Sequence, residues 1–267
     1  MIIDVDGRSI HAATGGVEPS PGDPVVILLH GAGMNSTIWQ LQTRYLAYRN
    51  LATIAVDLPG HGRSEGPPLA SIQEMAGFVT DLMDAAGWDS AHLVGHSMGS
   101  FIALEAGASL GARCASVTLM GTALAMPVHP QLISDAEVDL PAAAALMAAW
   151  GHAKPAHVGL NPTPGIWMTG GARALVERSD PGVLVTDFQA CAAYEGAAEA
   201  AGRITAPTAV IIGQGDKMTP PKAGRALAAE LENPTITELA NVGHSMMTEA
   251  PRAVRSAILD TVRSAAG

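Results

Sequence analysis

The apolar positions of this chain follow two periods in turn. Val25-Val26-Ile27-Leu28-Leu29 is an unbroken apolar run rich in β-branched residues, the pattern of a strand buried on both faces in a parallel sheet. Comparable runs recur at 52–56, 91–94, 115–119 and 208–212, with a weaker one at 235–239. Ahead of them, Ile2–Val5 and Ser9–Ala13 flank Asp6-Gly7, a pair suited to the positive φ of a tight hairpin turn. Between the runs the period lengthens to that of a helix. Ile72, Met75, Ala76, Val79, Leu82, Met83 and Ala86 form one apolar face. Ser71 and Glu74 open it as a capping box and Gly87 closes it. Residues 98–110, 221–231 and 251–264 read as helices too, the last with Pro251 in its first turn. Strands alternating with helices predict an α/β fold around a mostly parallel sheet.

The alternation lapses between 122 and 204. This stretch is rich in Ala, Pro and Gly, with helical pieces near 141–150, 172–178 and 183–193 and no convincing buried strand. Because β–α alternation resumes directly afterwards, residues 1–121 and 205–267 are expected to form one core domain. Residues 122–204 are then an inserted helical cap, ordinary surface helices being the alternative.

Composition narrows the classes of function. Hydrophobic residues are 48% and charged residues 15% of the 267, which excludes a disordered chain. The mean hydropathy of +0.23 raises the question of a membrane span, yet no apolar run approaches the ~20 residues one requires. The first residues lack the basic and apolar regions of a signal peptide, and two cysteines make no disulfide framework. A cytoplasmic location is expected. A net charge of −10, without a basic stripe and with only 4% aromatics, argues against nucleic-acid partners. The chain has no H-E-x-x-H and no Cys/His ligand cluster, so neither a metal nor another cofactor is expected.

The candidate chemistry lies at strand ends. Gly95-His96-Ser97-Met98-Gly99 follows one predicted strand and opens a helix, the context in which G-x-S-x-G holds its serine on a sharp, strained turn. A serine needs a base to take its proton. His244, in Val242-Gly243-His244-Ser245 between the last strand and the last helix, is placed to reach the same sheet edge. His11 and His92 lie on or beside strands and read as structural, whereas His129, His152 and His157 fall in the cap, within possible reach of a substrate. Asp216, in Gly213-Gln214-Gly215-Asp216, is the strand-end carboxylate suited to orient the base. The preceding strand ends in Met120-Gly121-Thr122-Ala123 without a carboxylate, and Asp57 reads as structural. The order Ser…Asp…His is that of an α/β-hydrolase. An oxyanion would take its N–H donors from Met98, after the nucleophile, and from Ala32 in the loop His30-Gly31-Ala32-Gly33.

These strings, together with Asp57-Leu58-Pro59-Gly60-His61-Gly62-Arg63-Ser64 and Trp39, resemble the α/β-hydrolase superfamily in its bacterial serine esterase-like branch. The resemblance spans nearly the whole chain outside the cap. It implies an eight-stranded, mostly parallel sheet flanked by helices, with a helical cap between the strands ending near Thr122 and starting near Thr208. It also implies a structural role for the 57–64 turn. The expected function is hydrolysis of a carboxylic ester or lactone through an acyl-enzyme. A carbon–carbon bond hydrolase using the same triad, or a slow hydrolase-like ligand-binding protein, is the alternative. Serine at the elbow excludes relatives that use aspartate there. Met34, Trp150, Trp167, Met168, Met218 and Met246 are the expected substrate contacts, forming an apolar, adaptable pocket for an uncharged ester or lactone. The same residues could simply pack the cap on the core. Oligomeric state is left open.

Overall fold

The computed structural model describes residues 1–265. Eight strands form one sheet: β1 (Ile2–Val5), β2 (Arg8–Ala13), β3 (Val25–Leu29), β4 (Ala52–Val56), β5 (Ala91–His96), β6 (Cys114–Met120), β7 (Thr208–Gly213) and β8 (Thr235–Leu239). Their spatial order is β1-β2-β4-β3-β5-β6-β7-β8. The expected hairpin pairs β1 with β2, and β2 alone runs against the other strands. The buried-strand reading of 25–29 holds side chain by side chain. Val25, Ile27 and Leu29 enter the core on one face, whereas Val26 and Leu28 enter a separate core on the other. Helices 72–86 and 98–110 cover the first face, and helices 40–47 and 251–264 the second. The cap forms with one difference from the expected box: Ser71 accepts from the Glu74 N–H, but the Glu74 carboxylate reaches one residue further back, to the Ala70 N–H, and Gly87 ends the helix at φ 70°.

β5 runs two residues beyond its apolar stretch because Gly95 and His96 continue the ladder against Leu119 and Met120. That extension carries the chain to Ser97. Two glycines make the turn sterically possible. A Cβ on Gly95 would lie 2.0 Å from the Gly99 carbonyl oxygen, and one on Gly99 would lie 2.2 Å from that of Leu29. Helix 98–110 thus crosses β3 and β5 at backbone contact. Gly99→Ala is expected to cost at least ~3 kcal/mol, the upper end of core overpacking, because the clash is with backbone. In a chain of this size that lowers Tm by roughly 10 °C, which differential scanning calorimetry reads directly.

Between β6 and β7 the described residues form six helices, 130–138, 140–150, 154–157, 168–176, 183–193 and 197–203, and no strand. Three of these were legible in the sequence. The segments 130–138, 154–157 and 197–203 are short and carry little apolar periodicity of their own.

Candidate active site

The end of β5 presents Ser97 at φ 54° and ψ −122°, a left-handed conformation that costs a non-glycine residue of order 1–3 kcal/mol. The surrounding ladder holds it there, since Ser97 N–H donates to Met120 O at 2.9 Å and Ser100 N–H to Ser97 O at 2.8 Å. Turning the backbone this way lifts the hydroxyl off the sheet edge, between the loops that follow β3, β7 and β8.

His244 arrives from the loop after β8. Its Nδ1–H donates to Asp216 Oδ2 at 2.8 Å. Asp216, from the loop after β7, accepts three further hydrogen bonds: from Met218 N–H at 2.8 Å, Thr219 N–H at 2.9 Å and Thr219 Oγ1–H at 2.7 Å. Burial alone would push this carboxyl up. The adjacent His244 and the Thr219 donors outweigh it and hold Asp216 below the usual carboxylate range. With Nδ1 committed as a donor, His244 Nε2 is left as a buried, unpaired lone pair, the state in which an imidazole accepts a proton. Ser97 and His244 line the same cavity. The serine hydroxyl is not hydrogen-bonded to the imidazole in this structure, and such contacts commonly tighten only when substrate binds.

Two residues that escaped the sequence reading set the imidazole in place. His96 Nε2–H donates to the His244 carbonyl at 2.9 Å, and the two rings lie 4.7 Å apart. Burial pushes His96 down to about 3, so it stays neutral beside His244. Gly121, at φ 60°, leaves room for the ring, because a Cβ there would lie 2.7 Å from His244 Cε1. A third, Glu249, accepts from Gly243 N–H at 3.0 Å and from Ala153 N–H at 2.9 Å. It ties the His244 loop to the helical segment between β6 and β7.

The loop after β3 is equally fixed. His30 Nδ1–H donates to Gly31 O at 2.9 Å and Nε2 accepts from Leu58 N–H at 3.2 Å. Burial lowers this imidazole to about 4. Asp57 is the hub of the neighbouring turn, accepting from Ser36 N–H at 2.6 Å, Arg63 N–H at 3.0 Å and His11 Nδ1 at 2.9 Å. Among the described residues, neither Ala32 N–H nor Met98 N–H is engaged within the protein.

The cavity at Ser97 has two lobes. The smaller, about 30 Å³, is walled by Met34, Met147, His152, Val176, Phe188 and Met218. The larger, about 430 Å³, is walled mainly by Met126, Val128, Leu132, Trp150, Phe188 and Met218, with His129 and Lys217 also on its lining. The structure therefore brings Met34, Trp150 and Met218 to the cavity. Trp167 and Met168 line a separate pocket of about 120 Å³ that Ser97 does not reach, and Trp167 is 77% exposed. Met246 is buried in the core with Val242, Met247 and Val254 and reaches neither lobe. It follows His244 by two positions, but the short helix Met246–Glu249 turns its side chain inward. Of the histidines between β6 and β7, His129 and His152 reach the cavity and His157 does not. Phe188, on both lobes, sits in an Ala-rich helix and had no local signal.

A parallel sheet whose central strand ends in a glycine-flanked serine elbow, with a buried His–Asp pair delivered by later strands, defines an α/β hydrolase. The sequence matches the alpha/beta hydrolase family over residues 26–257, and the chain belongs to that family. It is 30% identical to RutD of Variovorax paradoxus, provisionally named a carbamate hydrolase, over 87% of this chain and 89% of that protein. A 40% identical match to the dihydrolipoyllysine-residue acetyltransferase component of the acetoin cleaving system of Cupriavidus necator covers 44% of this chain but only 30% of that protein. Among solved structures, the enol-lactonase of Burkholderia xenovorans superposes with a TM-score of 0.86 at 22% identity, covering 98% of this chain and 100% of that one. At that identity the likeness speaks to the fold. No helix among the described residues is long and apolar enough to cross a membrane.

Proposed function

We propose that this protein is a serine hydrolase that cleaves uncharged carboxylic esters or lactones through an acyl-enzyme. The observation that carries the reading is the His244–Asp216 pair with its Nε2 lone pair free, set in one cavity with the strained Ser97. In this mechanism Ser97 Oγ attacks the acyl carbonyl as His244 Nε2 takes its proton. Asp216 fixes the tautomer and stabilises the imidazolium. The free N–H groups of Ala32 and Met98 receive the oxyanion. His244 then protonates the departing alcohol, and water repeats the cycle to release the acid. Helices 130–203 act as a cap, supplying most of the wall over the serine. The predominantly Met, Leu and aromatic lining favours uncharged, apolar substrates.

The unequal lobes predict the shape of the preferred ester. One side of the scissile bond has the smaller lobe, about 30 Å³, and the other the larger, about 430 Å³, so the two sides should tolerate chain length unequally. Esters, lactones and β-diketones are to be assayed together, with two ester series in which the acyl or the alcohol chain alone is lengthened from two carbons to six. Ester or lactone turnover is expected. In one ester series kcat/KM should fall tenfold or more while the other stays nearly flat, and Met147→Ala should flatten the falling series. Turnover confined to β-diketones would transfer the reading to carbon–carbon hydrolysis. Absence of any organophosphonate adduct on Ser97 would remove it altogether.

A further inference from the structure

Asp187 lies in helix 183–193, far in sequence from every catalytic string, yet its carboxylate is completely buried against the loop after β3. Its Oδ2 accepts from Gly33 N–H at 2.8 Å and from His61 Nε2–H at 2.9 Å. The other nitrogen of His61, Nδ1, faces only the Pro59 carbonyl, at 3.0 Å. Both ring nitrogens therefore point at acceptors, and the imidazole satisfies both only when it carries two protons. Burial opposes that charge, but the Asp187 carboxylate overrides it and raises His61 above its ordinary value. The groups facing this imidazolium are Asp187 from the helix, His30 from the loop after β3 with its ring 4.8 Å away, and Asp57 at the end of β4. Neutral His30 adds no competing charge.

We propose that Asp187 is a positioning residue for the oxyanion loop, with protonated His61 as its counterion. Gly33 directly follows Ala32, whose N–H is assigned to the oxyanion. Anchoring Gly33 N–H fixes the peptide plane on one side, while the His30–Gly31 contact fixes the other. The same helix also backs the loop sterically. A Cβ on Gly33 would lie 2.7 Å from Leu184 Cδ1, and Leu184 precedes Asp187 by one helical turn. The neighbouring Phe188 walls both lobes of the cavity. One helix thus shapes the substrate cavity and holds the donor loop. A charge-assisted acceptor suits that task because it holds an N–H more tightly than a neutral one and so keeps the neighbouring donor preorganised.

The inference rests on the serine hydrolase reading, so its test separates the two. Wild type, Asp187→Ala and Asp187→Asn are titrated with an organophosphonate so that turnover is counted per active serine. Asp187→Ala is expected to lower kcat per site tenfold or more, with KM within about twofold, and to weaken a trifluoromethyl ketone inhibitor by the same factor as kcat/KM. Asp187→Asn keeps an acceptor oxygen for Gly33 but loses the counter-charge, and is expected to fall between, at threefold or more. A purely structural role would reduce the number of titratable sites and leave kcat per site alone. Per-site kcat unchanged in Asp187→Ala overturns the proposal, as does unchanged kcat in Asp187→Asn should the alanine variant not fold. If wild type neither labels nor turns over, the hydrolase reading fails. The anchor is then judged by Gly33 amide hydrogen exchange, expected to quicken at least tenfold in Asp187→Asn, and equal protection in the two proteins would overturn it.

Discussion

Ser97→Ala is expected to reduce ester turnover by a factor on the order of 10⁶, the loss seen when a triad nucleophile is removed and only binding and oxyanion donors remain. The argument is geometric. The other hydroxyl of the elbow helix close at hand, Ser100, donates its Oγ–H to Ser97 O at 2.6 Å and is turned away from the cavity. The neighbouring loop serine, Ser245, sits at an unstrained φ of −81° with its N–H donated to Gly151 O, and not on a strand-to-helix elbow. The fold should survive, because alanine at φ 54° is strained no more than serine. Ser97→Gly should go further and raise stability by about 1 kcal/mol, releasing strain stored for function. Initial rates with p-nitrophenyl acetate, read beside the thermal transition, test both statements. Turnover by Ser97→Ala within a hundredfold of wild type would assign the nucleophile elsewhere.

Asp216→Asn is expected to lower kcat by about 10⁴ with little change in KM. Oδ1 of Asp216 accepts from two backbone N–H groups, those of Met218 and Thr219, whereas Oδ2 faces His244 and the Thr219 hydroxyl. An asparagine at 216 satisfies the two amides only by placing its carbonyl oxygen where Oδ1 was. Its NH₂ group then points at His244 Nδ1 and forces the proton onto Nε2. The imidazole becomes a donor toward Ser97 and can no longer take the serine proton. The loss should appear in kcat per titrated site. Equal kcat in Asp216→Asn and wild type would mean that the imidazole is oriented by Thr219 and the His96 contact instead.

The fold was legible because its signals are local. Continuous apolar runs of five residues can be buried on two faces only in a covered parallel sheet, and the capping box at Ser71 needs nothing beyond four consecutive residues. Ser97, Asp216 and His244, the residues of the proposed triad, stand out in the sequence for a related reason. Each follows a strand within a few residues, and an alternating sheet delivers its strand ends to one edge. Met34, Trp150 and Met218 reached the cavity, but Met246 did not, since the direction of a side chain in a four-residue helix depends on what that helix packs against. Trp167 and Met168 were drawn to attention by residue type, and no periodicity in 158–168 says which way that loop faces.

The sequence by itself determined the buried strands, the main helices that alternate with them, and the residues that follow the strand ends, because backbone propensity and hydrophobic period act over a few positions. Tertiary structure alone decided what joins elements remote in the chain: Asp187 on Gly33 and His61, Glu249 on Gly243 and Ala153, His96 on the His244 carbonyl, and Gly121 clearing the ring. A buried carboxylate is tolerated only where donors converge on it, and convergence is a property of the packed chain. The same holds for the unequal lobes at Ser97, whose walls come from four helices and five loops. No segment of the sequence carries their size. It is fixed when those elements close over the serine.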